Sequence, residues 1–366
     1  MTTFYPGPSK VYPAVADYAA EAVRSGITSL NHRSAGFMDI VQETMRLLRL
    51  KLAIPNDYHI AFVSSATECW EIVAQSLTQQ GSSHLVNGAF AQKWADNTAK
   101  LGRQAWQFTG IEPNDWPYLA AGYPDTDTLC LTQNETANGT QLPLNWLADF
   151  RNHFGGLIAV DAVSSMAGIV LDWQQADVWF ASVQKCFGLP AGLAVLVYSP
   201  AALLRAEAVG ERGHYNSLLF MHENFLKYQT PYTPNGLGIY CLMRVLETVP
   251  TIAETDAQTK RRAADWYRFL EHDLADSPFA PLISFKDDSA DNPPMVAVRS
   301  DTVIAVSGAA EAIAAVKKAA LAAGIILGNG YGTGKDNTFR IANFPAITDT
   351  DIDQLRTFLR TYTNPS

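Results

Sequence analysis

"ADVWFASVQKCFGLP", residues 176–190, sets one lysine at the end of an apolar run. The run predicts a strand buried on both faces, where lysine is among the rarest residues unless something pairs with it. Burial strips water from an ammonium and lowers its pKa. Lys185 therefore reads as a neutral amine at a strand end, a nucleophile for carbonyl compounds. The plain alternative is a covered stem whose charged head snorkels to solvent.

Short apolar runs recur on both sides of this stretch: "HIAFVSS" (59–65), "SHLVNGAF" (83–90), "DTLCLTQNET" (127–136), "GLIAVDAVSS" (156–165) and "GLAVLVYSP" (192–200). Helical stretches alternate with them. Phe37, Ile40, Val41, Met45, Leu48 and Leu52 mark an amphipathic helix over 36–52; Thr67 to Gln80 reads as another, and a third follows Ala91. The alternation predicts βαβ units and an α/β fold with a mostly parallel sheet. Near 250–255 the character changes. A helix over 257–275, strand material over 295–308, an alanine-rich helix over 309–323, strands in "GIILG" and "NTFRIAN" and a last helix from Thr348 predict a smaller α/β unit. The expected organisation is an extended arm (1–15, with three prolines and a glycine), a large domain (16–252) and a small C-terminal domain (253–366).

Composition narrows the partners. A net charge of −9 with no Lys/Arg block argues against nucleic acid. No apolar run reaches the ~18 residues that span a bilayer, so no membrane is expected. "MTTFYPGPSKVYPAV" lacks the charged and apolar regions of a signal peptide. Cys69, Cys130, Cys186 and Cys241 are scattered, with no C-x-x-C, which suits reduced thiols in a cytoplasm and argues against structural zinc. The sequons at Asn134 and Asn138 are then expected to carry no sugar. "GIILGNGYGTGKD" (324–336) imitates a phosphate loop, but Asn329, Thr333 and Asp336 stand where the two glycine motifs need other residues. It reads as a hairpin loop.

Ligands of open α/β sheets bind beyond the carboxyl ends of the strands. Asp161 closes "LIAV", Lys185 follows "VWFASV", Thr67 opens a helix after "AFVSS", Phe90 follows "LVNGA" and Thr136 follows "LCLTQNE". Singly, each has an ordinary structural reading: Asp161 as a turn cap, Phe90 as core, and Ser64, Ser65 and Thr67 as a helix cap. Together they match the needs of pyridoxal 5'-phosphate: an amine, an acid for the pyridine nitrogen, a helix N-terminus for the phosphate and an aromatic face.

The chain resembles the class V aminotransferases of fold type I, most closely the phosphoserine aminotransferase branch. Six stretches carry the resemblance in order: "FYPGPSKVYPAV", "NHRSAGFMDIVQET", "SSATECWE", "QNETANG", "AVDAVSSM" and "SVQKCFGLPAGL". The resemblance implies a large domain with a mixed, mostly parallel sheet between helices. It implies that Lys185 holds the cofactor, Asp161 pairs with the pyridine nitrogen and Phe90 stacks on the ring. Ala66, Thr67 and Gln184 would bind the phosphate, and Thr136 the ring hydroxyl. It also implies a homodimer with the active site at the subunit interface, since "YQTPYTPN" is similar to a segment that crosses over, giving Gln229 and Thr230 to the partner. Arg340 would grip the substrate α-carboxylate, and His32 with Arg33 would lie over the substrate pocket.

The implied reaction moves an amino group between an amino acid and a 2-oxo acid, phosphoserine and 2-oxoglutarate first among them. The substrate stays open. Glu68 stands where phosphoserine enzymes carry a cation, "GNGYGTGKDNTFR" offers only Lys335, and Leu189 lengthens the turn after Gly188. A transaminase of alanine, serine or glyoxylate is the main alternative. A cysteine-desulfurase-like lyase would need a cysteine within 325–340 and usually a histidine at position 184; this chain has no such cysteine, and has Gln184.

Overall fold

A computed structural model describes residues 1–109, 126–283 and 298–363. The strands, in chain order, begin with β1 (Thr2–Phe4), β2 (His59–Val63), β3 (Ser82–Val86), β4 (Ala105–Thr109) and β5 (Thr128–Thr132). They continue through β6 (Asn134–Glu135), β7 (Thr140–Gln141), β8 (Leu157–Asp161), β9 (Val178–Ser182) and β10 (Ala194–Tyr198). β11 (Ala280–Pro281), β12 (Val303–Ser307), β13 (Ile325–Asn329) and β14 (Thr338–Ala342) complete the set.

Seven of them form one sheet in the order β2-β10-β9-β8-β5-β3-β4. Only β10 runs against its neighbours, so β2, β3, β5, β8 and β9 end at the same edge. β5, β8, β9 and β10 are buried along their whole length, as runs covered on both faces must be. This is the α/β fold with a mostly parallel mixed sheet that the alternation predicted. A second sheet, β1-β13-β14-β12-β11, is antiparallel except where β1 pairs with β13. Each sheet has its own apolar cluster, with Trp179 and Phe180 in the first and Phe4, Phe339 and Ile341 in the second. Phe187 belongs to the first and Cys186 to the second, so the chain after Lys185 runs along the seam between them.

Element boundaries shift from the sequence reading for local reasons. The helix expected from Thr67 starts at Ala66, capped by Ser65, and passes into a wide π turn over Val73–Leu77. The helix expected from 257 starts at Ile252, because Thr251 and Glu254 form a reciprocal cap. "SHLVNGAF" stops pairing at Val86, and Phe90 already lies in a helix, Ala89–Lys100. Of the strand expected over 295–308, Val303–Ser307 forms a strand and Arg299 makes an isolated antiparallel bridge to Thr140, and residues 295–297 lie outside the described residues. β13 and β14 pair as an antiparallel hairpin around the glycine-rich loop, so no phosphate loop opens a helix there. Among the described residues no single helix is long and apolar enough to cross a membrane.

Candidate active site

The shared strand edge opens on a cavity of about 440 Å³. Lys185 reaches it three residues beyond the end of β9. The side chain is 7 % exposed, and its ammonium donates to Thr136 Oγ1 and Ser164 Oγ, each at 2.8 Å. Those two hydroxyls also bond each other. Burial pulls the Lys185 pKa down to about 8, against the pull of Asp161, Glu135 and Cys186, with Arg340 adding to the drop. The amine does not snorkel.

Asp161 is the last residue of β8, level with Thr132 of β5 and Phe180 of β9. Its carboxylate accepts from Trp70 Nε1 at 3.1 Å and from the Val163 N–H at 3.0 Å. Burial pushes its pKa up, opposed by the Val163 N–H, Lys185 and Trp70. At the start of the helix Ala66–Ile72, the Ala66 N–H donates to Ser182 Oγ at 3.0 Å, joining the helix end to the end of β9. Thr67 and Gln184 line the cavity beside it.

Phe90 contributes a face, with the Lys185 ammonium 5.4 Å from its ring centre. Its position is fixed by Glu135, fully buried, whose carboxylate accepts from the N–H groups of Phe90 (2.9 Å), Ala91 (3.1 Å) and Ala137 (2.8 Å). Gly88 leaves room for that carboxylate: a Cβ there would lie 2.2 Å from Glu135 Cγ. Gly7 does the same for the lysine, since its Cβ would lie 2.9 Å from Lys185 Cε.

Arg340, in the middle of β14, is 3 % exposed. Nε donates to the Asn329 carbonyl at 2.6 Å and Nη1 to the Thr136 carbonyl at 2.7 Å. Nη2 remains turned to no described partner, available to a carboxylate. Burial lowers its pKa, opposed by Tyr5, Glu135 and Tyr331.

Eight of the residues singled out by sequence thus meet at one cavity: Ala66, Thr67, Phe90, Thr136, Asp161, Gln184, Lys185 and Arg340. Four do not. His32 and Arg33 pair with each other ahead of the helix Ala35–Leu52, Arg33 Nε donating to His32 Nε2 at 3.3 Å. Gln229 donates to Met38 Sδ at 3.4 Å, and Thr230 to the Tyr232 carbonyl at 2.7 Å. These side chains line no part of this chain's cavity. Glu68 also turns away, its carboxylate bound by the Ser64 N–H (2.9 Å) and hydroxyl (2.6 Å), and Lys335 is exposed outside the cavity. Ser164, Ser182, Trp70, Lys93 and Tyr331 join the site without having been singled out.

The cavity suits pyridoxal 5'-phosphate. It offers a low-pKa amine, a buried carboxylate across from it, an aromatic face and a helix N-terminus. Two further groups on its wall, Thr132 Oγ1 and Asn134 Nδ2, are buried with no partner among the described residues, as donors awaiting an acceptor are.

Comparison with known proteins agrees. The aminotransferase class-V family model matches residues 4–324. A putative phosphoserine aminotransferase of Mycobacterium sp. (strain KMS) is 30 % identical over 364 residues, spanning 96 % of this chain and 93 % of the relative. The crystal structure of a phosphoserine aminotransferase from Cytophaga hutchinsonii superposes with a TM-score of 0.89 at 30 % identity, covering 99 % of both chains. A PLP-bound phosphoserine aminotransferase from Trichomonas vaginalis shares the fold, with a TM-score of 0.78 at 18 % identity over 98 % of this chain and 99 % of that one. By sequence across most of its length and by fold, the chain belongs to the class V aminotransferases, which are pyridoxal-phosphate-dependent transaminases.

Proposed function

We propose that the protein transfers the amino group of phosphoserine to 2-oxoglutarate, and the reverse, by alternating two half-reactions at this cavity. The observation that carries the reading is the convergence on one cavity of Asp161 and Arg340, from two strands, and Lys185, from the turn after a third. The likeness to phosphoserine aminotransferases along the whole chain supports the substrate. The turn of Glu68 toward Ser64 supports it too, because it keeps that carboxylate from repelling a phosphate.

When bound, pyridoxal 5'-phosphate supplies an electron sink for the bonds at the substrate Cα. Lys185 would hold the cofactor, and its amine would move the proton at the substrate Cα as general base and then acid. A pKa near 8 keeps a usable fraction of that amine neutral close to neutrality. Asp161 holds a proton on the ring nitrogen, and the bonds from Trp70 and Val163 fix its direction. Ala66, Thr67 and Gln184 would bind the phosphate, Thr136 would orient the ring hydroxyl and Phe90 would cover the ring. Arg340 grips the α-carboxylate and so aims Cα at Lys185.

The working unit is a homodimer in which Gln229 and Thr230 complete the partner's phosphate site and His32 and Arg33 cover its substrate pocket. Their position off this chain's own cavity supports that arrangement. Sedimentation as a monomer would overturn the dimer. For the reaction, glutamate-dependent turnover of phosphohydroxypyruvate is compared with that of glyoxylate and pyruvate. A higher kcat/KM for either unphosphorylated acceptor overturns the phosphoserine reading in favour of the alternative transaminase.

A further inference from the structure

Lys93 lies three residues after Phe90 on the helix Ala89–Lys100, and therefore on the same face. Its ammonium stands 5.5 Å from the Phe90 ring centre and 4.8 Å from that of Tyr331, and it donates to the Tyr331 hydroxyl. Tyr331 comes from the β13–β14 hairpin and stacks on Phe90, ring centres 4.9 Å apart and planes 17° from parallel. The Arg340 guanidinium approaches the same tyrosine, its carbon 5.6 Å from the ring centre. Two cations from distant parts of the chain therefore flank one aromatic ring on the cavity wall.

The electrostatics there run against the rest of the molecule. The chain carries a net charge of −9, yet the cavity gathers Lys93, Lys185 and Arg340 against one lining carboxylate, Asp161. Lys185 and Arg340 have work in the transamination already; Lys93 does not. Among the described residues Lys93 bonds a phenol and rests against aromatic faces instead of an acid. Such contacts hold a cation in place without neutralising it, leaving its charge to an incoming anion. The helix N-terminus beside it cannot serve that purpose, because Glu135 already occupies it.

We propose that Lys93 is a specificity-determining residue that takes the second acidic group of the substrate, an ω-carboxylate or a phosphate ester, while Arg340 takes the α-carboxylate. Tyr331 is the positioning residue that holds Lys93 in place. The proposal rests on the transaminase reading and narrows its substrates to amino acids and 2-oxo acids with a distal anion.

The test uses the holoenzyme and two matched pairs of amino donors, phosphoserine against serine and glutamate against alanine. The half-reaction is followed through the absorbance of the bound cofactor. In Lys93→Met the ratio of kcat/KM, acidic over neutral, should fall about tenfold or more in at least one pair, the size of one charge-assisted hydrogen bond. The loss should lie in KM, and Lys93→Arg should restore most of it. A fall in the first pair alone assigns a phosphate, and in the second alone a carboxylate. Tyr331→Phe should lower the same ratio about threefold, a few tenths of a decade. If Lys93→Met leaves both ratios unchanged, whatever the absolute rates, the proposal is overturned and the transaminase reading stands. If the wild type reacts with none of the four donors, that reading itself falls.

Discussion

Replacing Lys185 by methionine should make the cofactor-free protein more stable at neutral pH, although it destroys activity. The lysine is 7 % exposed, and its pKa falls from 10.5 to about 8 on folding. At about 1.36 kcal/mol per pH unit, holding the ammonium in the fold costs roughly 3 kcal/mol. The sign follows from proton linkage. Below pH 8 both the folded and unfolded chains carry the proton, so the wild type bears the whole cost. Between about 8 and 10.5 the unfolded chain binds more protons, so wild-type stability rises with pH until the cost is gone. Methionine fills nearly the same volume and titrates nowhere. It forfeits the two hydrogen bonds from the ammonium, about 1 kcal/mol each, while Thr136 and Ser164 keep each other. Lys185→Met should thus be more stable than wild type by about 1 kcal/mol at pH 7 and less stable by about 2 kcal/mol at pH 10.5. Urea denaturation of both apoproteins at matched pH values between 7 and 10.5 measures the difference, in which the titrating groups not coupled to Lys185 cancel. A difference that does not change with pH would refute the claim that burial has shifted this amine.

Arg340→Lys should raise KM for the amino donor about 10- to 100-fold, because an ammonium cannot replace the fork that bonds Asn329, Thr136 and a carboxylate together; steady-state kinetics checks it. Asp161→Asn should lower kcat about 100-fold with cofactor still bound. In the cofactor-free protein it should also move the Lys185 pKa below about 8, since Asp161 now holds it up, and the pH dependence of apoprotein stability reads that shift. Gly88→Ala should lower stability by about 1–3 kcal/mol in thermal denaturation: Glu135, fixed by three N–H groups, cannot move aside for the new methyl.

The large sheet was legible because strands buried on both faces must be apolar throughout, and their polar ends stand out against that background. Lys185 and Asp161 are visible for this reason. The small sheet was harder. β1 spans three residues, too few for any periodicity, and its partner β13 lies at the other end of the chain. Tyr331 and Lys93 are separated by 238 positions and meet only because a hairpin of one sheet folds over a helix of the other. Lys93 lies inside a helix and Tyr331 in a glycine-rich loop, so no local pattern marked them. Glu135 sits inside a recognised motif, yet its work as a helix cap for Phe90 depends on Gly88 giving way, a relation between distant backbones. Gln229, Thr230, His32 and Arg33 were singled out by resemblance alone, and none of them lines this chain's cavity.

The pairing of Thr2–Phe4 with Ile325–Leu327 also sets a timetable. Tyr5, Pro6, Gly7 and Pro8, which follow directly, form the wall against Lys185. Residues 2–4 are therefore anchored in the sheet only once residues 325–327 are in place. Contacts of such long sequence separation form late in folding. The cavity is thus finished by the meeting of two segments more than 300 residues apart in sequence, and a disturbance of the β1–β13 pairing would be felt at the lysine.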